Sequence, residues 1–100
     1  MNTRVFISGK IEENDNYFEE FENAEKKLSV LDYSVVNPAK ILKPLSDTNG
    51  FFTHDEYMEI CFTLIDMCDA IYQLPTWTDS EGAQEEYAYA LRRKMAFIHD

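Results

Sequence analysis

Ser80, Gly82 and Glu86 follow one another at two- and four-residue intervals, where "AIYQLP" passes through "TWTDS" into "EGAQEEYAYAL". A serine hydroxyl and the free amides of a helix start can hold an anion such as a phosphate. Glycine in a first turn costs about 1 kcal/mol against alanine, so it calls for a reason. One reason is close approach of a ligand to the backbone; the plainer one is a turn residue. Glu86 shares a helical face with Gly82, Ala83 and Ala90, the small residues expected beside a sheet, whereas Glu85 points about 100° away. A carboxylate on the inward face needs a partner or a chemical task. The alternative is that Glu81, Glu85 and Glu86 form one solvated face.

Other residues could join them. Ser8 and Gly9 end the apolar run "RVFIS", and Lys10 after them can reach a phosphate or stay solvated. Trp77 offers a ring on which a base could stack, and Tyr72 is a second one. Cys61 has no base evident beside it in the sequence and reads as a buried apolar thiol. Asp69 opens a strand, where an aspartate is more often a structural cap than a reactant. Tyr87 and Tyr89 read as packing or interface residues.

These residues must be positioned by alternating elements. "RVFISG" suits a buried strand followed by a turn. Phe18, Phe21, Ala24, Leu28 and Leu31 recur at helical spacing and predict a helix over 15–29, with Asn14 or Asp15 as cap. A short strand over 33–36 is stopped by Asn37-Pro38, and 40–52, with Pro44, Ser46, Asp47, Asn49 and Gly50, reads as a loop. Thr53 with Glu56 makes a capping box for a helix that is apolar on most sides, which implies burial or an oligomer interface. Residues 69–75 form the third strand. Thr78 with Glu81 is a second capping box, opening a helix from about Ser80 to Arg93, and 94–98 close the chain as a strand. The alternation predicts a single α/β domain over 1–100, with a parallel sheet of about four strands and helices on both faces. In such sheets ligands bind beyond the carboxyl ends of the strands, here after Ser8-Gly9-Lys10 and between Pro75 and Gly82.

Composition narrows the function. The net charge is −10, from nine basic and nineteen acidic residues, which repels nucleic-acid polymers but leaves a single nucleotide possible. No stretch approaches the ~20 apolar residues of a membrane span, and no signal region stands out, so a cytoplasmic protein is expected. Cys61 and Cys68 are separated by about 10 Å on one helix, too far for a disulfide. His54 and His99 give no zinc-ligand spacing, and neither metal nor cofactor is expected.

With these pieces in place, the chain resembles the nucleoside 2-deoxyribosyltransferase superfamily, most closely its small bacterial and phage branch of the DUF4406 type. The resemblance is carried by "VFISG", "VVNPA", "YMEICFTLIDMCDAIY" and the Gly82, Glu86, Ala90 series, in family order over nearly the whole chain. It implies a small flavodoxin-like, Rossmannoid three-layer sandwich. It also implies that Glu86 attacks the sugar C1′, expels the base and leaves a glycosyl-enzyme, as retaining glycosidases do. Ser80 matches members that bind a 5′-phosphate. Two positions depart from the pattern: Cys61 stands where a helical aspartate assists the departing base, and Phe6 where a tyrosine steadies the nucleophile. His54, Asp55, Tyr57 or Tyr87 are other sources of a proton. The expected ligand is a small-molecule nucleotide or nucleoside, and the expected assembly a homo-oligomer, dimer or larger. The rival readings are a non-catalytic nucleotide-binding module on the same fold and an oligomeric interaction domain.

Overall fold

The computed structural model describes residues 3–43 and 52–99. Strands β1 (Arg4–Ser8), β2 (Ser34–Val36), β3 (Ala70–Gln73) and β4 (Ala96–His99) form one sheet in the order β2-β1-β3-β4. All three pairings are parallel, with Phe6 opposite Val36 on one side and Ile71 on the other. The order is the start of a flavodoxin-like winding, in which the chain changes direction between β1 and β3.

Successive strand residues face opposite sides, and both sides are covered. Val5, Ile7 and Tyr72 pack against Phe21, Ala24 and Leu28 of helix α1 (Tyr17–Val30). Phe6 and Ile71 pack against Cys61 and Ile65 of a helix on the other face, and against Ala90 of the last helix. This is the expected three-layer α/β sandwich. Its two central strands read as continuous apolar runs because neither of their faces meets water.

Two turns carry the chain back from helix to strand without glycine. After α1, Asp32 takes φ 70°, and the amides of Asp32 and Tyr33 bond back to Ser29 and Leu28. After the last helix, Lys94 takes φ 58°, with the amides of Lys94 and Met95 bonded to Leu91 and Ala90. Both are Schellman caps, a motif that usually places glycine at the left-handed position.

The structure revises the sequence reading in four places. The N-cap position of α1 is Asn16, not Asn14 or Asp15, and it makes no side-chain cap hydrogen bond. β2 ends before Asn37-Pro38 as expected, but Pro38–Ile41 is a short helix, α2, where no helix is expected and a loop is expected from residue 40. Asn37 caps it by accepting from the Lys40 amide, and proline at N1 gives up no hydrogen bond there. The part of the predicted loop over 44–51 lies outside the described residues. Residues 75–79 form a 3-10 helix instead of an open loop. The last helix starts about where expected, but its N-cap is Ser80 rather than Thr78, which lies inside the 3-10 turn that Pro75 opens. No described helix is long and apolar enough to cross a membrane.

Candidate active site

Helix α3 (His54–Asp66) begins with the predicted capping box: Thr53 Oγ1 accepts from the Glu56 amide, and Glu56 Oε1 accepts from the Thr53 amide. That cap fixes the register that turns Met58, Cys61 and Ile65 inward and leaves His54 at the helix mouth. Helix α4 (Glu81–Arg92) is capped by Ser80, whose Oγ accepts from the Ala83 amide at 3.1 Å. Its inward residues are Ala83, Glu86 and Ala90. The small residues let the helix lie close to the sheet, and Glu86 is carried in with them.

A cleft of about 490 Å³ opens at the carboxyl ends of β1 and β3, between α3 and α4. It lies at the change of winding direction, where open α/β sheets bind ligands. Gly9 and Lys10, from the loop after β1, form one wall; Ser80, Gly82 and Glu86 form the other, with Cys61 between them. Glu86 is only 7% exposed, and the Ser8 hydroxyl donates to its Oε1 at 2.6 Å. Ser8 comes from the strand face that also carries Phe6, so the hydroxyl is supplied two residues further along β1.

Burial pushes the Glu86 carboxyl up to about 7; hydrogen bonds from Ser8 and Cys61 oppose this, and the charge of Glu85 adds to it. Near neutrality the group therefore exists in both forms, and its ionised form is a poorly solvated, reactive carboxylate. Burial first, and the Glu86 charge second, push the Cys61 thiol upward. Cys61 is a donor to Glu86 and not a source of thiolate.

At the rim, His54 Nε2 lies 2.6 Å from Glu85 Oε2. Hydrogen bonding to Glu85 raises the imidazole's proton affinity against a smaller effect of burial, and the charges of Glu85, Glu81 and Glu12 add to it. The ligand-capable atoms of His54, Glu81 and Glu85 lie within 4.8 Å of one another. Donors around one ion bound at about 2 Å stand roughly 3 Å or more apart, wider than the His54–Glu85 contact. That contact is a carboxylate–imidazole pair, and we assign it as such.

The two predicted glycines have different reasons. A Cβ on Gly9 would come within 2.8 Å of Leu74 Cδ1 and 3.0 Å of Leu74 Cβ, so any side chain there would make Leu74 shift, and packing after the β1 and β3 ends favours glycine. A Cβ on Gly82 would meet Met58 Sδ at 3.3 Å and His54 Cε1 at 3.8 Å, a small intrusion on the cleft wall.

Other predicted residues lie elsewhere. Trp77 stacks on Tyr87 with ring centroids 4.9 Å apart and is not among the described residues lining the cleft. Asp69 sits at the opposite, amino end of β3, where its Oδ2 accepts from the Arg4 amide at 3.0 Å. That is the cap role, at the opposite end of the central strands from Glu86. Gln73 escaped the sequence reading. It is buried beside Ser8 across the ladder, and its side-chain amide has no hydrogen-bond partner among the described residues. Its only signal was a polar residue inside an apolar strand.

No curated protein and no solved structure matches this chain. A family model described as a domain of unknown function, DUF4406, matches residues 3–99. With nearly the whole chain matched, the protein belongs to the DUF4406 family.

Proposed function

We propose that the protein cleaves or transfers the N-glycosidic bond of a nucleotide, with Glu86 as nucleophile and a 5′-monophosphate as the substrate form. The observation that carries this reading is a buried carboxylate held by Ser8 at the inner end of a cleft placed where α/β sheets bind ligands. In its ionised form Glu86 can stabilise an oxocarbenium-like C1′ and then bond to it. The resemblance to the nucleoside 2-deoxyribosyltransferases adds the sugar and base to this picture. Phe6 brings no hydroxyl to the nucleophile, and the Ser8 bond supplies one.

The phosphate would meet the start of α4. The first amides of a helix have no partner within it, and the Ser80 hydroxyl hydrogen is not used in capping Ala83. Lys10, across the cleft, adds a positive charge. Against these stand Glu12, Glu13, Asp79 and Glu81 on the same lining, which favour an uncharged nucleoside over a phosphorylated one. Substrate form is therefore the first variable to test.

The test is release of free base from deoxynucleosides and their 5′-monophosphates, followed by chromatography for the wild type and Glu86→Gln. Release by the wild type that is lost in the variant supports the reading; equal background from both removes it. Binding without turnover would favour a nucleotide-binding module, to which Cys61 and Phe6 at the two departing positions point. Assembly is part of the proposal, because Ile60, Phe62 and Leu64 of α3 stay half-buried in the single chain. Light scattering showing a monomer would contradict it.

A further inference from the structure

Breaking an N-glycosidic bond sends an electron pair onto a base nitrogen, and most bases depart well only if they gain a proton as they leave. Cys61, the thiol nearest the nucleophile, is held in its protonated form by burial and by the Glu86 charge, and so gives up a proton poorly. Among the described residues lining the cleft, His54 brings an imidazole, a group suited to proton exchange near neutrality.

Its placement fits the task. Gly82 and Glu86 are successive positions on one face of α4, about 6 Å apart along the axis. His54 Cε1, the carbon between the ring nitrogens, lies 3.8 Å from the point a Gly82 Cβ would occupy. The imidazole thus stands over the Gly82 step, with the nucleophile one turn deeper. Acid and nucleophile flank the scissile bond at about 5–5.5 Å in retaining glycosidases. Nε2 is engaged by Glu85, and among the described residues Nδ1 has no hydrogen-bond partner. A carboxylate behind one nitrogen fixes the ring and leaves the other to exchange a proton with the ligand.

We propose that His54, oriented by Glu85, is the general acid that protonates the departing base. The inference rests on the glycosidase reading above. In the first step a Glu86 oxygen bonds to C1′, the C1′–N bond breaks with its electron pair going to the base, and the His54 Nδ1 proton passes to that base. In the second, neutral His54 takes a proton from water, the hydroxide oxygen bonds to C1′, and the Glu86–C1′ bond breaks to restore the carboxylate. The products are base and free sugar phosphate. Glu85 is a positioning residue. The other charged groups facing His54 are Glu81, beside Glu85 on α4, and Glu12 from the loop after β1; both favour the imidazolium.

The experiment compares wild type, His54→Gln, Glu85→Gln and Glu86→Gln on two substrates. One is the preferred deoxynucleoside 5′-monophosphate; the other is 4-nitrophenyl 2-deoxyribofuranoside 5-phosphate, whose leaving group needs no proton. His54→Gln should lose about 10²- to 10⁴-fold on the nucleotide and less than about tenfold on the nitrophenyl substrate. Its pH–rate profile should also lose the descending alkaline limb. Glu85→Gln should move that limb to lower pH. Equal losses of His54→Gln on both substrates would make the histidine a structural or phosphate-binding residue and overturn the proposal, as would no loss on either. Wild type inactive on both substrates would remove the glycosidase reading and this one with it. Activity lost only in Glu86→Gln would preserve the first and reject the second. Unfolding midpoints of all four proteins identify any loss that comes from misfolding.

Discussion

The Ser8 hydroxyl and the Glu86 carboxylate meet at 2.6 Å inside the protein, joining the end of β1 to the second turn of α4. A hydrogen bond to a charged group contributes about 1.5–3 kcal/mol, and this one favours the ionised form. Ser8→Ala should therefore lower stability at pH 8 by about 1–3 kcal/mol in urea unfolding. It should also move the acidic limb of the pH–rate profile upward. An unmoved limb would mean that Ser8 does not act on Glu86 in solution.

The same carboxyl makes stability depend on pH. Its folded value, about 7, lies above the ordinary 4.5, so the folded state holds a proton that the unfolded chain has released. The sign follows: the contribution is fully present below about pH 4.5 and is lost as pH rises through about 7. The difference corresponds to about 3 kcal/mol. Glu86→Gln, with a neutral side chain of similar shape, should be more stable than wild type at pH 8 and close to it at pH 4.5. The His54–Glu85 pair adds a weaker dependence of the same sign, since both side chains are partly in water. Comparing wild type with Glu86→Gln isolates the buried group.

Gly82 lies on a helix that would form better without it. Gly82→Ala should hold or raise the unfolding midpoint, because alanine is favoured by up to about 1 kcal/mol and Met58, at 3.3 Å, is flexible. Ligand-induced thermal shifts should shrink at the same time. A variant that gains stability and binds as before would show that the cleft wall does not need the space.

Trp77 tests packing against recognition. Its stack on Tyr87 is worth about 0.5–1.5 kcal/mol beyond the area buried. Trp77→Leu should lower stability by about 1–2 kcal/mol while nucleotide-induced thermal shifts stay within experimental error. A lost shift would return the indole to the binding site.

Lys94 holds a left-handed conformation at φ 58°. Lys94→Gly should stabilise the protein by about 1 kcal/mol, because a side chain in this region strains the backbone. Equal or lower stability in chemical unfolding would count against the turn geometry.

The fold was legible because its signals were local and agreed. The apolar run around Phe6, the spacing of Phe21, Ala24 and Leu28, and the Thr53–Glu56 box each have one good structural solution. Glu86 was legible from its neighbours Ala83 and Ala90, whose small side chains marked the face that meets the sheet. The short turns that open on proline were less legible, because a proline has two meanings. Pro38 both follows the end of β2 and opens α2, and Pro75 opens a 3-10 turn ahead of α4. The pairs His54–Glu85, Ser8–Glu86 and Trp77–Tyr87 were not legible at all. Each depends on how two separate elements cross, and spacing along one element carries no trace of that.

The placing of β1 in the middle of the sheet has a kinetic consequence. β1 is synthesised before both its β3 partner and the helix bearing Glu86, which lie more than sixty residues further along the chain. Pairings across such long sequence separations slow folding, since the intervening chain must be ordered before they form. During translation the apolar residues Val5, Phe6 and Ile7 emerge well before their β3 neighbours, and until β3 follows they lack the partners that bury them.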